Sequence, residues 1–312
     1  MVKKTFLVTG GAGFIGSHLV ERLATEGHNV ICLDNEFRGT FKNFPDSILK
    51  KITVKKGDVR KTADWPKYSK KIDALFHFAA INGTPNFYSI PDIVLDVNVR
   101  GTFNALEYAI DHNIPHVLFA SSPETYGIPE KFPTPESEKL VVPDVNNPRW
   151  SYGASKTMGE VLCVNYAKKY GFKCSIIRYN NLYGPRDQYG HVIPDLLKKI
   201  RKNRKFTVEG KGGETRSFCY IDDAIDATLL IKRKQKSQID VFNVGIDVET
   251  SIRDLIKHFE RILNKKLEPT FKQKIGSGTS RRLPDITKIR KLGFKPKTSF
   301  DEGLRSTIEW YK

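Results

Sequence analysis

Tyr152 and Lys156 stand four residues apart in Ser151-Tyr152-Gly153-Ala154-Ser155-Lys156. That spacing puts both side chains on one face of a helix. A phenol with a pKa of about 10 is a poor base at neutral pH, but a neighbouring ammonium and a positively charged nicotinamide both favour its phenolate. Such a tyrosine can take a hydroxyl proton while hydride leaves the same carbon. This chemistry needs a dinucleotide, and a second set of residues is suited to hold one. Thr9-Gly10-Gly11-Ala12-Gly13-Phe14-Ile15-Gly16 follows an apolar run and opens a helical pattern. Its glycines at 10, 13 and 16 serve the tight turn, the approach of backbone to a pyrophosphate, and helix-on-strand packing. The helix N-terminus then offers free N–H groups to phosphate. Asp34, 18 residues beyond Gly16, can accept from ribose hydroxyls and would repel a 2′-phosphate, which favours NAD over NADP. Arg38 is the nearby cation that would receive a 2′-phosphate instead. Asp58, after a third apolar run, is placed for the adenine amino group or for a solvated turn.

These residues need a scaffold, and the pattern supplies one. Apolar runs without alternation occur at Thr5–Thr9, Val30–Leu33, Ile52–Val54, Ala74–Phe78, Val117–Ala120 and Ser175–Arg178. Helical spacing fills Ile15–Glu26, Val94–Ala109 and Tyr152–Tyr170. Strands alternating with helices, each strand apolar throughout, predict an α/β fold: a Rossmann-like, doubly wound parallel sheet covered on both faces. Gly184–Arg216 reads as irregular, basic and Gly-rich. Phe242–Gly245 reads as a strand returning to the sheet, Ser251–Leu263 as a capped amphipathic helix, and the stretch from Ile286 as helix-poor until Phe300. The expected division is an NAD-binding body over 1–183, with a strand return near 218–246, and a smaller lobe from 184–217 and 247–312.

Composition narrows the class. The 312 residues carry 52 Lys and Arg against 35 Asp and Glu, a net charge of +17. Hydrophobic residues make up 39% and charged residues 28%, which excludes a wholly disordered or fibrous chain. Cys32, Cys163, Cys174 and Cys219 fit no zinc or disulfide spacing, so no metal is expected, and a reducing, cytoplasmic setting is. No run approaches the roughly 20 apolar residues of a membrane span. The charge, with basic runs at 198–205 and 232–236, admits a nucleic-acid-binding protein as a rival. Neither run interleaves the aromatics of single-strand binders, and such a protein has no use for the glycine turn. Residues 253–312 hold 16 Lys and Arg against 7 Asp and Glu, a field that attracts anions.

Read in order, these motifs resemble the extended short-chain dehydrogenase/reductase family, the NAD-dependent sugar-nucleotide epimerases, dehydratases and decarboxylases. The likeness also rests on His77-Phe78-Ala79-Ala80, Asn98, Ser121-Ser122-Pro123-Glu124-Thr125-Tyr126-Gly127, Arg178-Tyr179-Asn180-Asn181-Leu182-Tyr183-Gly184-Pro185, Thr215-Arg216-Ser217-Phe218 and Arg281-Arg282-Leu283-Pro284-Asp285. It implies Tyr152 as base, Lys156 as its partner on the nicotinamide ribose, and Ser122 on the sugar C4 oxygen. It implies a cofactor site of Gly10, Gly13, Phe14, Ile15, Gly16, Asp34, Asn35, Asp58, Val59, Phe78, Ala79, Ala80 and Asn98 beside the Tyr–Lys pair, with His77 along the cleft. Asn181, His191, Val192, Arg216 and Arg281 or Arg282 would meet the nucleoside-diphosphate sugar. A homodimer through the helices near 98–110 and 152–170 is implied as well.

Within that resemblance Glu124 discriminates between reactions. A 4-keto group acidifies the C5 hydrogen of the sugar, and a nearby carboxylate could abstract it and drive loss of a C6 substituent. Dehydratases and decarboxylases of the family resemble Ser122-Pro123-Glu124 here, and simple 4-epimerases commonly lack the acid. Pro123 departs from the 4,6-dehydratase pattern, whose acid at that position protonates the leaving hydroxyl. The expectation is therefore lyase chemistry through a 4-keto intermediate with Glu124 near C5, with 4-epimerisation as the alternative in which Glu124 is structural.

Overall fold

The structure is a computed structural model that describes residues 2–187, 190–272 and 279–312. Seven parallel strands form its central sheet: β1 (Thr5–Thr9), β2 (Asn29–Asp34), β3 (Ile52–Lys56), β4 (Ala74–His77), β5 (His116–Ser121), β6 (Lys173–Tyr179) and β7 (Ile239–Val244), in the order β7-β6-β5-β4-β1-β2-β3. All five residues of β1 and all six of β5 are buried, because helices cover both faces and leave no solvent side on which to alternate. One face carries α1 (Phe14–Thr25) and a core with Leu19, Val20 and Leu23; the other carries α2 (Pro91–Asp111), α3 (Ser151–Tyr170) and a core with Val94, Ala105, Leu106 and Cys163. Chain order reverses between β1 and β4, and in such sheets ligands bind in the crevice beyond the strand ends at that point.

The returning strand is β7, paired with β6 from Ile239 against Cys174 to Val244 against Tyr179. Two segments expected to be irregular hold order. Val192–Lys202 is a helix and Lys205–Glu209 a strand. Ile193, Leu196, Leu197 and Ile200 form its buried face, a short helical stripe obscured in the sequence by the cations between and after them. The run at 198–205 is thus the outer side of an amphipathic helix and the strand after it. Thr287–Lys291 is a further short helix before Phe300–Trp310. Ser251 caps Ile252–Leu263 by accepting from Asp254 N at 3.0 Å. Among the described residues no helix is long and apolar enough to cross a membrane.

Candidate active site

A cavity of about 580 Å³ opens where β1 and β4 part. Its floor is the glycine turn. Gly10 has φ +69°, and a Cβ there would stand 2.5 Å from Ala79 N, so a side chain would drive apart the turns that follow β1 and β4. A Cβ on Gly16 would fall 2.1 Å from Gly10 O, so α1 can start this close to the turn only as glycine. Gly13, the N-cap of α1, offers no side chain to the first turn, leaving those N–H groups for an anion. Asp34 closes β2 with its carboxylate accepting from Ala12 N at 3.0 Å and Glu36 N at 2.7 Å. Burial raises its pKa against these hydrogen bonds, and the residue lines the cavity. Phe14, Ile15, Asn35, Asp58, Val59, Phe78, Ala79 and Ala80 complete this half of the lining. Asp58 is paired with Arg60 Nη2 at 2.6 Å, which holds its carboxyl below the usual range.

Two residues expected on the cofactor wall lie behind it. Asn98 is buried, accepting from Ile81 N at 2.8 Å and donating to Ser155 Oγ at 2.9 Å; it fixes the β4 turn to α3 rather than facing the cavity. His77 sits between Thr9 Oγ1 at 2.7 Å and Thr102 Oγ1 at 3.2 Å. Burial, then the Lys156 charge, pushes its pKa down to about 3, so it is a neutral core side chain.

At the far end α3 presents Tyr152 and Lys156, both buried. Lys156 Nζ donates to Ala120 O at 2.7 Å and lies 5.8 Å from the Tyr152 ring centre. Burial lowers its pKa to about 8, opposed by Cys163 and Glu160, which leaves it predominantly charged at neutral pH. Burial and then the Glu124 charge raise the Tyr152 pKa, against a hydrogen bond with Ser122 and the Arg38 and Arg282 charges. The phenol is therefore protonated at neutral pH. Tyr152 stacks on Phe87 at 5.2 Å.

Glu124 lies between two guanidiniums. Arg149 Nη2 reaches both carboxylate oxygens at 2.9 Å, and Arg282 Nη2 reaches Oε1 at 2.5 Å. Burial alone would raise Glu124, but Arg282 and Arg149 overcome it and hold the carboxyl at about 2. Arg149 lies between the rings of Phe87 and Trp150, 5.4 Å from each centre. Its Nη1 is buried with no partner among the described residues, as is Asn181 Nδ2. Unpaired buried donors are costly, and both of these residues also line the cavity.

Asn181, His191, Val192, Arg216 and Arg282 line the substrate half. Arg281 does not reach it. Its side chain points outward, paired with Glu249 at 2.7 Å and stacked over Phe132, because neighbours on a strand face opposite ways. Arg216 is held by Thr279 O at 2.8 Å, and burial lowers its pKa to about 10. Arg149 escaped the sequence reading, although a cation three residues before a helical Tyr–x–x–x–Lys was its visible signal. Nothing in the sequence paired it with Glu124. No group of three or more His, Cys, Asp or Glu able to hold a metal occurs among the described residues.

A crevice at the switch point, a glycine-floored groove and a buried Tyr–Lys pair define a dinucleotide-dependent enzyme of the short-chain dehydrogenase type. Residues 6–245 match the NAD dependent epimerase/dehydratase family. The chain is 32% identical to the UDP-N-acetyl-alpha-D-glucosaminuronate decarboxylase of Bacillus cytotoxicus, over 100% of this chain and 98% of the relative. It is 33% identical to a putative UDP-glucose 4-epimerase of Methanocaldococcus jannaschii, over 98% of each. Its structure is similar to that of the Thermus thermophilus UDP-glucose 4-epimerase in complex with NAD, with TM-score 0.86, 27% identity and 98% of each chain covered. The chain belongs to the NAD dependent epimerase/dehydratase family. It is an enzyme, and its cofactor is NAD.

Proposed function

We propose that this enzyme decarboxylates a nucleoside-diphosphate uronic acid through a 4-keto intermediate. The observation that carries it is Arg149: a cavity-lining residue anchored on Glu124, it keeps a buried Nη1 with no partner among the described residues. That donor suits a substrate carboxylate, which an arginine fork recognises well. NAD, when bound, accepts hydride from C4 and later returns it. Tyr152 takes the C4 hydroxyl proton, with Ser122 on the same oxygen and Lys156 keeping the phenolate favourable. The product is a β-keto acid, in which the C5–C6 bond breaks and its electron pair passes into the C4–C5 enolate. Carbon dioxide leaves, C5 of the enolate takes a proton from solvent water, and Tyr152 finally gives its proton back to the C4 oxygen as hydride returns to C4.

Glu124, held at about 2 by its two arginines, is a weak base. This supports decarboxylation over dehydration, since only dehydration needs the C5 proton removed, and Pro123 supplies no acid for a leaving hydroxyl. Glu124 serves instead to place Arg149 and Arg282. Asn181, Arg216, Arg282, His191 and Val192 would hold the diphosphate, sugar and base, in the lobe of 184–217 and 247–312. The relative from Bacillus cytotoxicus supports this substrate class.

The fully paired state of Glu124 also fits 4-epimerisation with a purely structural acid, and the relative from Methanocaldococcus jannaschii supports that second reading. Incubating the NAD-loaded enzyme with UDP-glucuronate, UDP-N-acetylglucosaminuronate and UDP-glucose, with products read by mass spectrometry and NMR, separates the two. Loss of carbon dioxide from a uronate is the expected result. A product of unchanged mass and inverted C4 overturns decarboxylation. We further propose a cytoplasmic homodimer through the outer faces of α2 and α3, where Leu95, Phe103, Met158 and Val161 are exposed. Sedimentation at twice the chain mass is expected.

A further inference from the structure

Three turns that line the cavity are linked through the side chains of Arg38 and Asn82. Arg38, four residues past β2, sends its guanidinium across to the backbone carbonyl of Asn82, in the turn after β4. Asn82 is fixed in place: its side-chain oxygen accepts from Gly83 N at 2.6 Å, and its backbone carbonyl also accepts from Asn86 Nδ2 at 2.7 Å. Its Nδ2 lies 3.3 Å from His191 Nε2, and His191 Nδ1 lies 2.7 Å from Asp187 Oδ1. Asp187 is buried and is the acid whose charge most favours that of Arg38. Gly83 clears the path: with φ +105°, it would place a Cβ 2.9 Å from Arg38 Nη1. All of these residues line the cavity except Asn86.

None of them is required for proton or hydride movement between Tyr152 and the sugar. Their arrangement has another consequence. β2 ends on Asp34 and the turn after β4 carries Ala79 and Ala80, the two walls of the dinucleotide groove. A side chain spanning those walls closes the groove from outside, and the Asp187–His191 pair ties the span to the substrate half. A cycle in which hydride leaves the sugar and later returns works only if the dinucleotide stays between the two transfers. We infer that Arg38, seated on Asn82 and faced by Asp187 and His191, is the residue that retains NAD in this enzyme.

The reading is tested on NAD-loaded protein by following the nucleotide that stays with it through timed desalting, and by calorimetric titration of the stripped protein with NAD. Arg38→Met removes a charge-assisted hydrogen bond, so NAD should dissociate about 10–100-fold faster, while the thermal midpoint of stripped protein stays near that of the parent. Arg38→Lys keeps the charge without the planar fork and should recover only part of the retention. If Arg38→Met fails to fold, Asp187→Asn reads the same quantity and should give a smaller rise in the dissociation rate. Unchanged dissociation in the folded variants overturns the inference, and so does full recovery by Lys. Tighter NAD binding by Arg38→Met would mean that Arg38 occupies the cofactor's own place. A loss confined to NADP would mean that it reads a 2′-phosphate. Either result overturns it.

Discussion

Two buried arginine–glutamate clusters flank the end of β5, and they differ in one respect. Behind the cleft, Arg178 donates to both oxygens of Glu160 at 2.8 and 2.6 Å, to Tyr126 Oη at 2.8 Å and to Glu136 O at 3.0 Å. Ser121 Oγ adds to Glu160 at 2.5 Å. Every nitrogen of that guanidinium has a partner, and the cluster locks α3 to β5 and β6. In the cleft, Arg149 and Arg282 share Glu124, yet Arg149 keeps a buried donor without a partner. The same residue types are therefore paired in two different ways. The first cluster is scaffold; on the proposed function, the donor left over in the second would take its acceptor from the substrate.

The contrast can be broken by substitution. Tyr152→Phe, on the cleft side, should lower kcat by about 10²–10⁴-fold and leave the unfolding midpoint in place; retained turnover would remove Tyr152 from the chemistry. Arg178→Met should do the opposite. Breaking a buried pair leaves an uncompensated charge at a cost of about 3–5 kcal/mol, read as a lower urea midpoint, while the folded fraction keeps most of its turnover.

Arg149→Met leaves Glu124 still paired with Arg282, so its stability cost should be well below that of Arg178→Met. Its kcat/KM for a uronate should fall about 10–100-fold, the worth of a hydrogen bond to a charged group, and that for a neutral sugar much less. Equal stability losses in the two arginine variants, with uronate turnover intact in Arg149→Met, would erase the distinction.

Acid sharpens it further. Glu124 is held at about 2 against an ordinary 4.5, so between those values the unfolded chain binds more protons than the folded one and stability rises with pH. The contribution is complete above about 4.5 and is lost as pH falls through about 2. Its size is about 3 kcal/mol, and Glu124→Gln should flatten that limb of the urea-midpoint curve. Arg281→Ala is expected to do least. Its pair with Glu249 is exposed and screened by solvent, so neither the urea midpoint nor kcat/KM should move.

Much of the site was legible because it rests on local rules. The glycine turn, Asp34 and Tyr152–Lys156 announce themselves by spacing along one turn or one helix. Arg281 and Arg282 show where such rules stop: strand alternation says that one faces in, but not which. His77 and Asn98 show a second limit, since a polar residue beside a cleft motif may face its back wall as easily as its surface.

The sequence alone therefore determined the parallel α/β body, the glycine-floored groove and the Tyr152–Lys156 pair, because each depends on periodicity and on backbone conformations open to glycine. Tertiary structure decided how Glu124 is used, which arginine enters the cleft, and that Arg38 crosses to Asn82. Those contacts join residues 25, 158 and 44 positions apart along the chain. A charge takes its meaning from what faces it, and across such separations only the folded chain brings the partners together.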